Sequence, residues 1–268
     1  MTILRAFLAS YLLELRLGLF SRRACALALL YAAPLALAYP LRRLQAFVSS
    51  GVNQDVFISF ADLGYFIFLV PLGSLVLAST MIGREVEEGT WHYRLLTPLP
   101  TWMTLLAKQC GAVTIVVLLS CPSLILSSLV YGIADGGGVR GYLEVALSMS
   151  PGLALAAVAY VALFSSLGML LKQPLVVGIV YFLVSEIGLQ FIPADTVIRE
   201  LTIIFHARGV GYPEVARGAE GAGTMAGASI IYLEAPGTAA WHLTFIALTL
   251  LVISALTIRV RQIGARSE

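Results

Sequence analysis

Residues 57–82 read Phe57-Ile58-Ser59-Phe60-Ala61-Asp62-Leu63-Gly64-Tyr65-Phe66-Ile67-Phe68-Leu69-Val70-Pro71-Leu72-Gly73-Ser74-Leu75-Val76-Leu77-Ala78-Ser79-Thr80-Met81-Ile82. One charged residue, Asp62, interrupts the run. About 20 apolar residues in a helix cross the hydrocarbon core of a bilayer. This stretch exceeds that length, so it predicts a membrane-spanning helix. Dense charge follows at once, with Arg84, Glu85, Glu87 and Glu88. An abrupt change from apolar to charged marks the water boundary of a span.

The same alternation recurs along the chain. Further apolar runs cover about 24–41, 104–132, 143–171, 175–193 and 241–258, giving six spans. The first is short and is bracketed by Arg22–Arg23 and Arg42–Arg43. Pro122 and Pro151 fall inside the third and fourth, where neighbouring helices can satisfy the freed carbonyls. Asp135-Gly136-Gly137-Gly138 and Lys172-Gln173-Pro174 read as tight turns. The sixth opens at Trp241, an aromatic suited to the membrane interface.

Composition agrees. Of 268 residues, 59% are hydrophobic and 12% charged, and the mean hydropathy is +0.91. Soluble domains carry about 45–50% apolar and about 25% charged residues. The predicted class is therefore an all-α membrane protein, a single transmembrane domain over 1–268. The net charge of +2, with scattered basic residues, gives no nucleic-acid footprint. Cys25, Cys110 and Cys121 are unclustered, which argues against a disulfide framework or a zinc site built on cysteine.

Residues 2–20 differ from the spans. Leu4, Phe7, Leu8, Tyr11, Leu12, Leu15 and Leu19 recur at helical steps, and Arg5, Glu14 and Arg16 fall off the stripe. The pattern predicts a helix lying in the membrane interface, or one packed on protein. No small-residue cleavage site follows it, so it reads as retained. Residues 194–240 form a long polar outer segment whose weakly apolar pieces, Val197–Phe205 and Ala228–Leu233, predict short helices.

Basic residues set the orientation. With the N-terminus inside, the inner side holds Arg5, Arg16, Arg22, Arg23, Arg84, Arg94, Lys108, Lys172, Arg259, Arg261 and Arg266. The outer side holds Arg42, Arg43, Arg140, Arg199, Arg208 and Arg217. This bias predicts both termini in the cytoplasm, with Arg42–Arg43 dissenting.

The segment between the second and third spans carries the functional signal. It runs Gly83-Arg84-Glu85-Val86-Glu87-Glu88-Gly89-Thr90-Trp91-His92-Tyr93-Arg94-Leu95-Leu96-Thr97-Pro98, and Lys108 opens the span beyond. Thr90 can cap a short helix after it. The order of Glu85, Glu87, Glu88, Gly89, Thr90, Leu95, Leu96, Pro98 and Lys108 resembles the signature of ABC-2 type transporter permeases. Trp91-His92-Tyr93 departs from the usual form, which has acidic or small apolar residues there. The amphipathic N-terminal helix, six spans and outer segment fit that family's plan along the whole chain.

The resemblance implies a type V exporter-like fold, with residues 84–98 as a coupling helix docked on a separate ATPase. It implies two copies of this chain with two ATPase subunits, and a path at the homodimer interface in the inner membrane. The chain has no GxxxxGK[ST] phosphate loop, so ATP and Mg would belong to the partner. An enzyme is a poorer reading. Glu87-Glu88 followed by Arg94 approximates the Glu-Glu-x-x-x-Arg pattern of intramembrane metalloprotease-like proteins, but His92 stands where Arg is needed. His206 and His242 fall near the outer side, remote from those glutamates. A non-transporting scaffold that works with an ATPase is the remaining alternative.

Among ionisable residues, Glu186 lies in the fifth span. A carboxylate there costs at least about 2–3 kcal/mol unless it is paired or wet. It reads either as part of a substrate path or as a latch to a neighbouring span or outer helix. Asp62 and Glu144 lie nearer the interface, where simple solvation is predicted. The 194–240 segment either binds an extracytoplasmic partner or closes the path.

Overall fold

The computed structural model describes residues 3–48, 54–87, 100–135, 138–171, 173–188, 200, 202–212 and 234–264. Every regular element among them is helical. In chain order these are α1 (Ile3–Leu19), α2 (Arg22–Val48), α3 (Gln54–Ala61), a π-wound turn (Asp62–Leu69) and α4 (Val70–Glu87). Then follow α5 (Thr101–Ala134), α6 (Val139–Leu170), α7 (Pro174–Tyr181) with a π-wound end (Phe182–Ile187), α8 (Ile203–Gly211) and α9 (Pro236–Gly264).

Five of these helical runs are long and apolar enough to cross a membrane: Ala24–Arg43, Gln54–Ser79, Thr101–Ala134, Val139–Leu170 and Pro236–Thr257. The chain is an all-α membrane protein. The run predicted at 175–193 is described as Pro174–Ile187, an apolar helix shorter than the other five.

α6 is the centre of the bundle. It packs against α4, α5, α8 and α9. Two-thirds (67%) of the most apolar window is buried both in this helix and in Gln54–Ser79. The other three spans bury only 22–33%, leaving broad apolar faces such as Leu29, Leu37, Phe245, Leu248 and Leu256 exposed. In water such faces would drive aggregation; in lipid they are solvated. Helices α5 and α6 run through Pro122 and Pro151, and α2 runs through Pro34 and Pro40.

Buried hydroxyls tie three elements together. Tyr31 Oη donates to the Leu69 carbonyl at 2.9 Å. Ser123 Oγ donates to the Tyr31 carbonyl at 2.6 Å. Tyr65 Oη lies 2.8 Å from both Ser123 Oγ and Ser127 Oγ. These bonds link α2, the first π-wound turn and α5. Without partners, such hydroxyls would be costly to bury.

Three sequence expectations need correction. Helix α2 does not stop at Leu41 but continues through Arg42–Arg43 to Val48. Arg42 is buried and ion-paired with Asp135 at the C-terminal end of α5, so its charge does not end the helix. In α1, the residue predicted to lie off the packed stripe, Glu14, is buried, and Leu4, Leu8, Leu12 and Leu19 are exposed. The reason is Lys108, 2% exposed on α5, whose ammonium stands 3.6 Å from the Glu14 carboxylate. α1 thus packs on α5 with Glu14 and Leu15 inward and Leu4, Leu8, Leu12 and Leu19 outward. The third correction concerns Asp62 and is taken up with the site.

Candidate functional site

The acidic motif divides at the edge of the described residues. Arg84, Glu85 and Glu87 continue α4 as its last turn and do not begin a separate short helix. Glu88, Gly89, Thr90, Leu95, Leu96 and Pro98 lie outside the described residues. The described residues resume at Pro100, the N-cap of α5. Proline suits that place because its fixed φ and missing N–H cost nothing before a first turn. The motif therefore joins the ends of two long apolar helices. Lys108 lies two turns into α5, paired with Glu14 of α1.

A second polar constellation lies at the beginning of the Gln54–Glu87 run. Asp62 opens the first π-wound turn. Its carboxylate accepts two hydrogen bonds from Arg208 of α8, Nε to Oδ1 at 2.8 Å and Nη2 to Oδ2 at 2.6 Å. The side chains are 12% and 5% exposed. Asp62 is thus not merely solvated, as predicted from its place near the interface. A rigid guanidinium fork satisfies both its oxygens. Burial works against the Arg208 charge, but Asp62 outweighs it and holds the guanidinium pKa above its ordinary value. Tyr212 closes the far side of the pair with a hydrogen bond to Asp62. Burial first, and then the Asp62 charge, push its phenol up.

Helix α8 is held there by backbone proximity. Thr202 caps it, accepting from the Phe205 N–H at 3.4 Å. Of the piece predicted over Val197–Phe205, residues 197–199 and 201 lie outside the described residues; from Ile203 the chain is helical to Gly211, where His206 and Arg208 find buried partners. A Cβ on Gly152 of α6 would meet Ala207 O and Gly211 Cα at 2.7 Å. Only glycine lets the two backbones approach so closely. The other predicted piece, Ala228–Leu233, lies outside the described residues.

Glu186 sits beside this pair. It is fully buried in the π-wound end that follows α7. Tyr181 Oη donates to Glu186 Oε1 at 3.4 Å. Tyr160 of α6, also fully buried, flanks the carboxylate, and the backbone N–H of Ile204 in the first turn of α8 faces it. Glu186 Oε2 has no hydrogen-bond partner among the described residues. The neighbourhood thus brings two acids from different helical runs to one short helix carrying one arginine. Arg208 neutralises Asp62 directly and acts on Glu186 at longer range. This set can clasp helices together.

Three further polar residues converge that sequence reasoning did not bring together. Glu234 lies between His206 of α8 and His242 of α9, with each imidazole N–H donating to one of its oxygens at 2.7 Å. Burial alone would raise the Glu234 pKa. The bond to His206 and the two imidazoles outweigh it and hold the carboxyl below its ordinary value. Glu144, predicted to be solvated, is largely exposed and pairs with Arg140 one turn away.

Comparison with models of known protein families and with curated proteins gives no match.

Proposed function

We propose that this chain is the membrane-spanning subunit of an ATP-driven exporter of the ABC-2 type, working as a homodimer with two separate ATPase subunits. The observation that carries the proposal is the acidic segment Glu85-Val86-Glu87-Glu88-Gly89-Thr90 with Leu95, Leu96 and Pro98, joined directly to the end of one long apolar helix and the start of the next. A charged connection between two spans transmits force only if its ends are fixed. α4 reaches Glu87 without a break, and α5 begins at Thr101. The Glu14–Lys108 pair fastens α1 to the same end of α5. Glu85, Glu87 and Glu88 supply the charge for docking on the partner, with Gly89, Thr90, Leu95, Leu96 and Pro98 shaping the docked segment. ATP and Mg bind the partner.

In this reading the fifth of the six spans is the run 175–193, of which Pro174–Ile187 supplies a described apolar helix. Extended to Pro193 it would reach about 30 Å, a bilayer's apolar thickness. Six spans return the chain to its starting side. The bias of eleven inner basic residues over six outer ones then puts both termini in the cytoplasm.

The test is co-purification from the source membranes, followed by ATP hydrolysis in reconstituted vesicles. The wild-type chain should bring down an ATPase carrying a phosphate loop, in equal copy number. The triple variant Glu85→Ala, Glu87→Ala, Glu88→Ala should lose at least tenfold of the associated ATPase while still forming its own dimer. A triple variant that assembles and hydrolyses ATP like wild type would overturn the proposal, as would a wild-type chain with no ATPase attached.

A further inference from the structure

We propose that His206, Glu234 and His242 form a binding site for a zinc-like divalent transition metal. One ligating atom from each residue lies within 4.8 Å of the others. They come from three separate places in the chain: α8, the residue two before α9, and the second turn of α9. The imidazole rings stand 5.0 Å apart with Glu234 between them.

Two imidazoles and one carboxylate are a donor set that borderline metals take and hard cations such as magnesium do not. Zinc bonds to these donors are about 2.0–2.2 Å, so donor atoms around a tetrahedral ion stand about 3.4 Å apart. The 2.7 Å nitrogen–oxygen separations need only open by small side-chain rotations. Binding through these nitrogens would release the N–H protons donated to Glu234.

The site is also accessible. His206 is 8% exposed and Glu234 18%, but His242 is 50% exposed. The buried pair is preorganised, and the open side leaves an entry route and a fourth position for water. Arg208, two residues beyond His206, pairs with Asp62. A bound ion would cross-link α8 to α9, which already pack closely where Gly209 meets Ala239. The inference is independent of the transport assignment.

The experiment uses full-length protein purified without a polyhistidine tag, stripped with chelator and titrated calorimetrically with zinc. Wild type should bind one ion per chain, show a higher Tm with zinc, and give no response to magnesium. His242→Ala, at the exposed position, should fold normally and bind at least tenfold more weakly. Glu234→Gln, which preserves shape, should also weaken binding at least tenfold. Failure of wild type to bind zinc at micromolar concentration would overturn the site. Unchanged affinity in either folded variant would overturn it too, by placing the metal elsewhere.

Discussion

The pair Asp62–Arg208 should be the most costly single interaction to break at its end of the bundle. Replace Asp62 with Leu, so that volume is roughly kept and both hydrogen bonds are lost. Arg208 is then left 5% exposed with its principal counter-charge gone. Removing one member of a buried ion pair costs about 3–5 kcal/mol, because the survivor stays desolvated without compensation. Tyr212 cannot stand in for the acid, since its phenol stays protonated. The double variant Asp62→Leu, Arg208→Met removes both charges and should recover most of that loss, since an apolar pair of similar volume is nearly neutral in such sites. The assay is thermal unfolding in detergent of wild type, both single variants and the double variant, closed as a thermodynamic cycle. Each single variant should unfold at clearly lower temperature, and the double variant near wild type. If the double variant loses the sum of the two single losses, the residues are not coupled. The clasp at α8 would then be an incidental contact, and the reasoning fails.

Two other outcomes follow from the same packing. Gly152→Val should destabilise by about 1–3 kcal/mol, because its Cβ meets fixed backbone atoms of Ala207 and Gly211 instead of a movable side chain; Gly64→Ala, with nothing within 4 Å of the new Cβ, is the near-neutral control in the same thermal assay. Glu234 has a depressed folded pKa through His206 and His242, so its contribution is complete above the unfolded value of about 4.3 and is lost as pH falls through the folded one; thermal unfolding below about pH 4 should therefore fall more steeply for wild type than for Glu234→Gln, and parallel curves would refute that role.

The spans were legible because hydropathy is a local property. A run such as Leu63–Leu77 needs no knowledge of its neighbours to declare that water is a poor solvent for it. The polar contacts were not legible, because they are agreements between distant positions. Asp62 and Arg208 are 146 residues apart, and Arg42 and Asp135 are 93 apart. One cue was present: a lone charge in an apolar run must find a partner. Applied to Asp62 and Arg42, that cue calls for an outer-segment arginine and a turn aspartate, but it does not say which. Glu14 shows the complementary error. Its position off the leucine stripe reads as solvent-facing only if leucine must face protein, and in a bilayer leucine can face lipid while the charge turns inward to Lys108. His206 and His242 were read as too remote from Glu87–Glu88 for a shared metal. The acid they do meet is Glu234. Glu234, just before Pro236, lies in sequence near His242 and was the residue to consider.

The packing falls into two sets, and the acidic motif joins them. α1 and α2 rest on α5, with Glu14–Lys108 and the Ser123–Tyr31 bond among their contacts. α4, α8 and α9 rest on α6, with α8 bound to the Asp62 turn by the arginine clasp. The segment from Glu88 to Leu99 runs from α4 in the second set to α5 in the first. A force on that segment therefore acts across the boundary between the sets. Within the second set, resistance is high: moving α4 away from α8 breaks two charged hydrogen bonds, and moving α8 off α6 opens the glycine contact at Gly152. Across the boundary Tyr31 Oη bonds the Leu69 carbonyl and Tyr65 Oη lies against Ser123 and Ser127, neutral bonds each worth about 1 kcal/mol. The boundary also includes the α5–α6 face, where Gln109 donates to Ser165 Oγ, Tyr142 Oη to Asp135 Oδ2 and Cys121 Sγ to the Ser150 carbonyl; none of these is a two-bond charge pair like Asp62–Arg208. Relative movement should therefore fall between the sets, with α4, α6 and α8 travelling together. That is the division of stiffness a coupling segment between α4 and α5 would need.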